Sequence, residues 1–403
     1  MEIIDLEDIL INFLNEANNI RDELIHIRRD IHKHPELGFQ EKRTSKLIKD
    51  FLDTEGISYI DTAITGICAS IKGEKEGHEK VVALRADMDA LPIQEKSNIS
   101  YQSLNEGKMH ACGHDGHTTI LLGVSKILNK YKKNFSGIVK LFFEPAEETV
   151  GGAPLMIEDG VLENPKVDFV IGLHVNEEVQ TGKIMIKSGS VNASSNLFKV
   201  KIIGKGGHGA TPDVTADPIV TTSLIVTELQ TLVSREVHPA RPAVLTIGTI
   251  HSGTATNIIP SEAEISGIIR TVNEKDRALM KKRFVEVVNG VAKSHNCSAE
   301  ITIEEGYPSL INSEEVVDRV IEAAKKVIGK ENIVKQMEPS MGVESFAYFA
   351  NERPAAFYYL GTKNEVKKTD NPAHGSFFDI DEEALPIGVA IQCTAAYEYL
   401  TSN

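Results

Sequence analysis

Residues 138–148 read Ile-Val-Lys-Leu-Phe-Phe-Glu-Pro-Ala-Glu-Glu, a short and largely apolar run that passes through a proline into two adjacent carboxylates. A run of this kind is typical of a buried strand of a parallel sheet. Similar runs predict further strands at 81–85, 167–173 and 182–186. Helical patterns lie at about 17–34, 40–55 and 115–130. This alternation predicts an α/β fold, a mostly parallel sheet with helices on both faces.

The pattern of elements changes after about residue 190. Strand and helix signals between 197 and 304 follow the order βαββαβ, which predicts an α+β unit of the ferredoxin-like type. Further on, α/β character returns. We therefore predict a larger domain formed by residues 1–189 and 307–403, with a smaller domain of residues 190–306 inserted into it.

Length, charge and cysteine usage limit the class of protein. The 403 residues carry a formal net charge of −15, which disfavours nucleic acid as a partner and favours a small molecule. The first residues lack the basic and apolar segments of a signal peptide, and no apolar run is long enough to span a membrane. Four scattered cysteines show no disulfide spacing. These features predict a cytoplasmic protein with reduced thiols.

The segment 109–117 contains three histidines, a cysteine and an aspartate in nine residues. Cys112 and His114 are two apart, so both can face one ion from an extended loop. So many polar side chains are costly to desolvate unless a cation compensates them, and the cluster therefore indicates a metal site. His110 and His117, taken singly, are more typical of satisfied polar residues, and we predict that neither is a metal ligand.

Further polar residues follow the predicted strands. Glu147 and Glu148 follow the strand at 138–143, a placement that a solvated loop would also explain. A dinuclear hydrolase needs one carboxylate as ligand and another as proton shuttle, and two neighbours supply both. The other residues at strand ends are His174, Asp87 and Asp89. In open parallel sheets ligands bind outside the carboxyl ends of the strands, so we expect these side chains at one edge.

Six motifs, in order along nearly the whole chain, resemble those of the M20 metallopeptidases. More narrowly, they resemble the amidohydrolase branch of that family (its subfamily D), with its hippurate hydrolases, N-acyl-amino-acid amidohydrolases and auxin-conjugate hydrolases. The motifs lie at 34–36, 85–92, 109–117, 144–148, 206–210 and 373–375. The set of six is specific, whereas any one of them alone would not be.

The resemblance implies two divalent metal ions per chain, zinc or manganese, with nickel as a further alternative. The implied metal ligands are Cys112 as the bridging ligand, His114, Glu148, His174 and His374. Glu147 would be the general base. Asp87 stands where the broader family has a metal-binding histidine, so we assign it, with Asp89, a supporting role.

The resemblance also implies that the inserted domain acts as a lid and joins two chains in a homodimer, which could assemble further. His208 would stabilise the oxyanion, in its own subunit or in the partner. Asn257 and Arg270 would bind the substrate carboxylate. From the residues alone, a turn before Pro260 and a solvated strand end are the simpler interpretations of these two positions.

The function that follows is a metal-dependent hydrolase of linear amides. It would cleave N-acyl amino acids, with an acetyl, benzoyl or similar acyl group, to a carboxylate and a free amino acid through a water that bridges the metals. A dipeptidase or aminopeptidase of the same family is the nearest alternative. A cysteine hydrolase based on Cys112 and a non-catalytic metal-binding protein are the others, and Glu147 beside a ligand disfavours the last.

Overall fold

A computed structural model describes residues 6–77 and 79–402, with side chains from Phe13 onward. The chain divides into two compact units. The first comprises Met1–Gly189, Ile311–Met337 and Tyr348–Asn403, and the second comprises Ser190–Leu310 and Glu338–Ala347. The second unit thus covers the stretch in which the sequence predicts an insertion, and it also takes in a short segment further along the chain.

Ten α-helices are present in the described part of the chain. They are α1 (Leu6–Asn19), α2 (Arg21–Lys33), α3 (Lys42–Glu55), α4 (His114–Lys130), α5 (Ala153–Glu158), α6 (Pro218–Thr231), α7 (Glu274–Ser294), α8 (Glu314–Ile328), α9 (Phe346–Glu352) and α10 (Ala384–Thr401). Helix α3 ends where predicted, because Gly56 adopts the left-handed conformation (φ 66°) that closes a helix.

Sixteen β-strands are present in the described part of the chain. They are β1 (Ser58–Thr62), β2 (Gly66–Lys72), β3 (Val81–Asp87), β4 (Ile138–Glu144), β5 (Phe169–Gln180), β6 (Ile184–Ile186), β7 (Gly189–Asn192), β8 (Ser194–Ile203), β9 (Gly207–His208), β10 (Ala243–Ser252), β11 (Ile258–Ile259), β12 (Glu262–Thr271), β13 (Ser298–Glu305), β14 (Leu310–Asn312), β15 (Ile333–Lys335) and β16 (Ala355–Lys363).

The first unit is built on an eight-stranded mixed sheet in the order β1-β2-β4-β3-β5-β16-β6-β15. Its four central strands, β4, β3, β5 and β16, run parallel to one another. Every residue of β3 is buried, as expected for a strand covered on both faces. This arrangement confirms the predicted α/β class.

Parallel pairing brings the carboxyl ends of the central strands to one edge of the sheet. Asp87 at the end of β3 pairs with Glu144 at the end of β4, and β3 also pairs with β5 in parallel. Helix α4 begins at this edge and packs against α10, which is buried on nearly all sides. The residues that follow β3 and β4 and those that open α4 therefore meet at one place.

The second unit contains a separate antiparallel sheet in the order β10-β12-β8-β13. Along the chain its main elements run β8, α6, β10, β12, α7 and β13, which is the predicted βαββαβ order. Helices α6 and α7 pack against each other, and Phe198, Phe284 and Ile265 lie in the core between sheet and helices. This unit therefore has a hydrophobic core of its own.

Two local expectations were wrong. The helix expected over 17–34 begins only at Arg21, as α2, because residues 17–19 belong to the end of α1 and Ile20 separates the two helices. The strand expected to end at 173 continues to Gln180, so His174 lies within β5 rather than after it. Backbone pairing with β16 extends as far as Lys363 and keeps this segment extended.

Candidate metal centre

The five predicted metal ligands come together in the first unit. Cys112, His114 and His174 form one group of potential ligands, and Cys112, Glu148 and His374 form another; within each group the ligand atoms lie within 4.8 Å of one another. Cys112 belongs to both groups. The arrangement is therefore one that can hold two ions with a shared thiolate between them.

Hydrogen bonds set the direction of two imidazoles. His174 Nδ1 donates to the carbonyl oxygen of Val175 (2.6 Å), and this places the lone pair on Nε2, which lies 3.3 Å from Cys112 Sγ. His114 Nδ1 lies 3.2 Å from Asp89 Oδ1. In both rings the nitrogen turned toward the cluster is therefore Nε2, and a carbonyl or carboxylate holds the other nitrogen, as is usual for metal-binding histidines.

Buried atoms without partners mark the centre of the cluster. His114 Nε2 and Glu148 Oε1 are buried and lie 3.8 Å apart, and neither makes a hydrogen bond of good geometry. His374 Nε2 approaches the same Glu148 oxygen at 3.2 Å. Buried polar atoms without partners are costly, and a cation would compensate all of them. The donor set of one thiol, imidazoles and a carboxylate fits a divalent metal of the zinc type.

The electrostatics of these groups depend on their burial and on one another. Burial lowers the pKa of His114, but Asp87 and Asp89 outweigh burial, so that the pKa is raised well above its usual value. Burial raises the pKa of Glu148, but His374 and His114 outweigh it and the pKa is lowered. Burial and the Glu148 charge raise the pKa of the Cys112 thiol well above its usual range.

Asp89 holds the loop that carries the two glutamates. It is buried; its Oδ1 accepts a hydrogen bond from the Glu147 amide (2.9 Å), and its Oδ2 accepts one from the Glu148 amide (3.0 Å). The same carboxylate orients His114. Asp89 therefore ties a residue that opens α4 to the loop after β4, which accords with the supporting position expected of it.

Asp87 is held from two sides. Arg85 Nη1 donates to Asp87 Oδ2 (2.6 Å), and Arg85 Nε donates to Glu144 Oε2 (2.6 Å), all within the buried part of the sheet. Asp87 Oδ1 lies 2.5 Å from His117 Nδ1. His117 Nε2 accepts from the Val175 amide (2.9 Å), so both ring nitrogens of His117 are engaged. The hydrogen bonds of His117 therefore support its placement outside the ligand set.

His374 reaches the cluster on a loop far away in the sequence. Its backbone is left-handed (φ 62°), its amide donates to the carbonyl oxygen of Ala111 (2.7 Å), and the preceding amide of Ala373 donates to Glu177 (2.6 Å). Sequence analysis missed Glu177 and Arg85. A charged residue inside the apolar run 81–85 was the available signal for Arg85, whereas nothing in the sequence marks Glu177.

The other three predicted site residues lie in the second unit. His208 is exposed in β9, opposite Ile258 of β11, and its Nδ1 accepts a hydrogen bond from the Ala210 amide (3.1 Å). Asn257 adjoins β11, and its carbonyl oxygen accepts from the Gly209 amide (2.8 Å). Arg270 on β12 is half-buried and donates from Nη1 to the carbonyl oxygen of Met341 (2.6 Å). His208 and Asn257 are thus neighbours in one hairpin-like pair of strands.

The model of peptidase family M20/M25/M40 matches residues 83–398, which include all five candidate ligands. The chain belongs to this family. It is 38% identical over 400 residues to thermostable carboxypeptidase 1 of Saccharolobus solfataricus, covering 97% of this chain and 99% of the relative. It is 40% identical over 387 residues to N-acetyl-L-cysteine deacetylase of Bacillus subtilis, covering 96% and 90%.

A solved structure from Bacillus subtilis, described as a dinuclear metal binding peptidase from M20 family, superposes with a TM-score of 0.83. It is 33% identical and covers 96% of this chain and 100% of the other. These similarities confirm that the protein is a hydrolase of the M20 family and an M20 amidohydrolase. In the described part of the chain, no helix of this M20 amidohydrolase combines the length and apolar content needed to cross a bilayer.

Proposed function

We propose that this M20 amidohydrolase cleaves the amide bond of N-acyl amino acids, releasing a carboxylate and a free amino acid. The observation that carries the proposal is the position of Glu147. Its carboxylate lies within 4.8 Å of ligand atoms of both His114 and Glu148, directly beside the cluster that fits a dinuclear centre. A purely structural metal site has no use for a second carboxylate at that position.

Cys112, His114, Glu148, His174 and His374 would hold two divalent cations, and zinc is the ion that their donor set favours. When bound, these cations would polarise the amide carbonyl and lower the pKa of a water molecule. Glu147 would accept a proton from the attacking water and then donate a proton to the nitrogen of the leaving amine. Its near-complete burial shields this transfer from bulk solvent.

His208, Asn257 and Arg270 would act on the substrate from the second unit. His208 accepts a hydrogen bond at Nδ1, and this leaves its Nε2 to carry the proton that an oxyanion needs. A guanidinium and an amide are suited to binding a free carboxylate, the group that every N-acyl amino acid presents. The deacetylase among the relatives supports this substrate class.

Peptide cleavage is the second candidate, because the relatives include a carboxypeptidase. A carboxypeptidase and an N-acyl amino acid hydrolase both recognise a free carboxylate, and they differ in what precedes the scissile amide. A dipeptide has a free amine there. The cysteine hydrolase is disfavoured, because Cys112 lies among the ligand atoms of both groups, and a thiolate that binds metal is not free to attack a carbonyl.

We further propose that the second unit is an inserted lid and dimerisation domain and that the protein is a homodimer. In this unit, α6 exposes the side chains of Ile219, Val220 and Leu224, which are 42%, 51% and 42% exposed. Strand β10 lies at the edge of the four-stranded sheet, and no strand among the described residues pairs with its outer side. An apolar helix face beside a sheet edge is typical of a surface that another chain covers. Sedimentation at the mass of one chain would contradict this assembly.

The test of the activity combines metal removal with a panel of substrates. Purified protein is chelated, reloaded with zinc or manganese, and assayed on N-acetyl and N-benzoyl amino acids and on dipeptides with the same carboxyl-terminal residue. We expect about two metals per chain and activity that is lost on chelation and restored by metal. The N-acyl amino acids should be hydrolysed in preference to the dipeptides. The opposite preference would favour the peptidase.

The role of Glu147 is tested in the same assay. Glu147→Gln should retain both metals and lower kcat by about 10²–10⁴-fold, because the amide cannot move a proton. Glu158→Gln, at an exposed position at the end of α5, is the matched control and should behave as the wild type. A Glu147→Gln variant with wild-type kcat would refute the proposed base.

A further inference from the structure

Glu41 is a fully buried carboxylate that lies outside the metal cluster. It directly precedes α3, yet its side chain does not cap that helix. Instead, Oε2 accepts a hydrogen bond from Thr65 Oγ1 (2.7 Å), and Oε1 accepts one from the Ala146 amide (2.9 Å). A carboxylate is costly to bury, so its placement against a distant backbone amide calls for a reason.

Glu41 contacts the loop after β4 that carries Glu147 and Glu148, which we call the glutamate loop. Ala146 adopts a left-handed conformation (φ 57°), which a residue with a side chain rarely takes. Such a conformation persists only where the surroundings enforce it. On the other side, Gly38 lies so close that a Cβ at Gly38 would be 2.8 Å from the Cβ of Ala146. The segment from Gly38 to Glu41 therefore packs directly against this turn.

Three consecutive amides of the turn donate to two buried carboxylates. The Ala146 amide donates to Glu41, and the amides of Glu147 and Glu148 both donate to Asp89. Asp89 also orients His114 and so belongs to the support of the metal centre. Within this turn, Glu41 bonds to Ala146, the residue before the proposed base and the one with the unusual backbone conformation.

We propose that Glu41 is a positioning residue, which holds the Ala146 peptide in its left-handed conformation and thereby sets the place of the Glu147 carboxylate. This inference rests on the proposed function of Glu147. Rotation of the Ala146 peptide would displace the next residue, and a displacement of about 1 Å at a reacting group costs roughly 10²-fold in rate. Asp89 holds the amides of both glutamates, but Glu148 lies one residue further from the Ala146 peptide and is therefore affected less.

The test compares two replacements of Glu41. Glu41→Gln keeps an oxygen that can accept from the Ala146 amide, and its NH₂ group can donate to Thr65 Oγ1. Glu41→Ala removes both contacts. We expect Glu41→Ala to lower kcat by about 10–100-fold on an N-acetyl amino acid with KM changed less than threefold, and Glu41→Gln to restore kcat to within about threefold of the wild type.

Glu36→Ala is the matched control. Glu36 accepts hydrogen bonds from the amides of Arg43 and Thr44 and from Thr44 Oγ1, so its removal also costs several contacts near the start of α3. It makes no side-chain bond to the glutamate loop. We expect Glu36→Ala to lower the melting temperature and leave kcat unchanged. If Glu41→Ala does not fold, Thr65→Val removes only the hydrogen bond between Thr65 Oγ1 and Glu41 Oε2 and should lower kcat by a few fold.

Hydrogen–deuterium exchange of the segment 144–150 measures the loop without any assay of activity. Exchange there should accelerate at least tenfold in Glu41→Ala and should stay as in the wild type in Glu41→Gln and Glu36→Ala. Unchanged exchange and unchanged kcat in Glu41→Ala would overturn the positioning role. A wild-type enzyme inactive on every N-acyl amino acid would instead overturn the proposed function, and the exchange result would still decide whether Glu41 holds the loop.

Discussion

Replacing Asp89 by asparagine should weaken metal binding more than it weakens the fold. Asp89 Oδ1 and Oδ2 each accept one backbone amide of the glutamate loop, from Glu147 and Glu148, at 2.9 and 3.0 Å. Asparagine retains one acceptor oxygen and places an NH₂ group against the second amide. One buried amide therefore loses its partner, and His114 loses a charged one.

The magnitude follows from these contacts. An unpaired buried amide costs about 1–3 kcal/mol, and the surviving hydrogen bond loses about 1 kcal/mol with its charge. The sum is roughly 2–4 kcal/mol. For a chain of this length each kcal/mol lowers the melting temperature by about 1–2 °C, so the metal-free variant should melt roughly 2–8 °C lower. Disturbing the support of His114 and Glu148 should raise the Kd for zinc about 10–100-fold.

The assay is zinc competition against a chromogenic chelator, together with thermal unfolding of the metal-free protein. Asp168→Asn is the matched control, because Asp168 accepts from the Val81 amide (2.7 Å) at the opposite end of β3 and from Tyr399 Oη (2.8 Å). Asp168 is exposed and accepts both hydrogen bonds at Oδ2, so an asparagine oxygen can keep them; this variant should stay close to the wild type in stability and bind zinc normally. The reasoning would be refuted if Asp89→Asn bound zinc as tightly as the wild type, or if Asp168→Asn lost as much zinc affinity as Asp89→Asn.

Two further predictions concern pH and assembly. Burial raises the pKa of Glu41 from 4.5 to about 7, so the folded protein favours the protonated carboxyl. The stability that this preference contributes is fully present below about pH 4.5 and is lost as the pH rises through 7. In chelated wild-type protein, ionisation of Glu41 at pH 8 costs about 3 kcal/mol of stability, and Glu41→Gln avoids this cost. The melting temperature of Glu41→Gln minus that of the wild type should therefore rise between about pH 5 and 8. A difference that does not change with pH would contradict this prediction. Leu224→Asp should shift sedimentation toward the monomer, whereas Val366→Asp, at a position 93% exposed in the first unit, should not; a dimer unaffected by Leu224→Asp would argue against α6 as the interface.

The candidate ligands could be found from the sequence because their signals are local. Cys112 and His114 lie two apart before a helical pattern, and Glu147 and Glu148 follow a buried strand. Since the carboxyl ends of parallel strands share one edge of a sheet, neighbouring strand ends predict neighbouring side chains. The structure places these residues together as that rule requires. His374, by contrast, was predicted only from the family resemblance.

The hydrogen bonds that orient these ligands could not be found in this way. Which nitrogen of His174 points inward is decided by a bond to the carbonyl oxygen of Val175, and the position of Glu147 is decided by Asp89 and Glu41. Even the end of β5 was misplaced, because its pairing with β16 extends the strand beyond its apolar run.

The sequence alone determined the chemistry available to this protein: the types of donor atom, their order along the chain, and the α/β framework that carries them. Only the tertiary structure decided their geometry. Local patterns report burial and backbone periodicity within one element, whereas Glu41 and Ala146 are 105 residues apart and meet only when α3 packs beside the sheet. The identity of a ligand is a property of one residue, but its orientation is a property of everything packed around it.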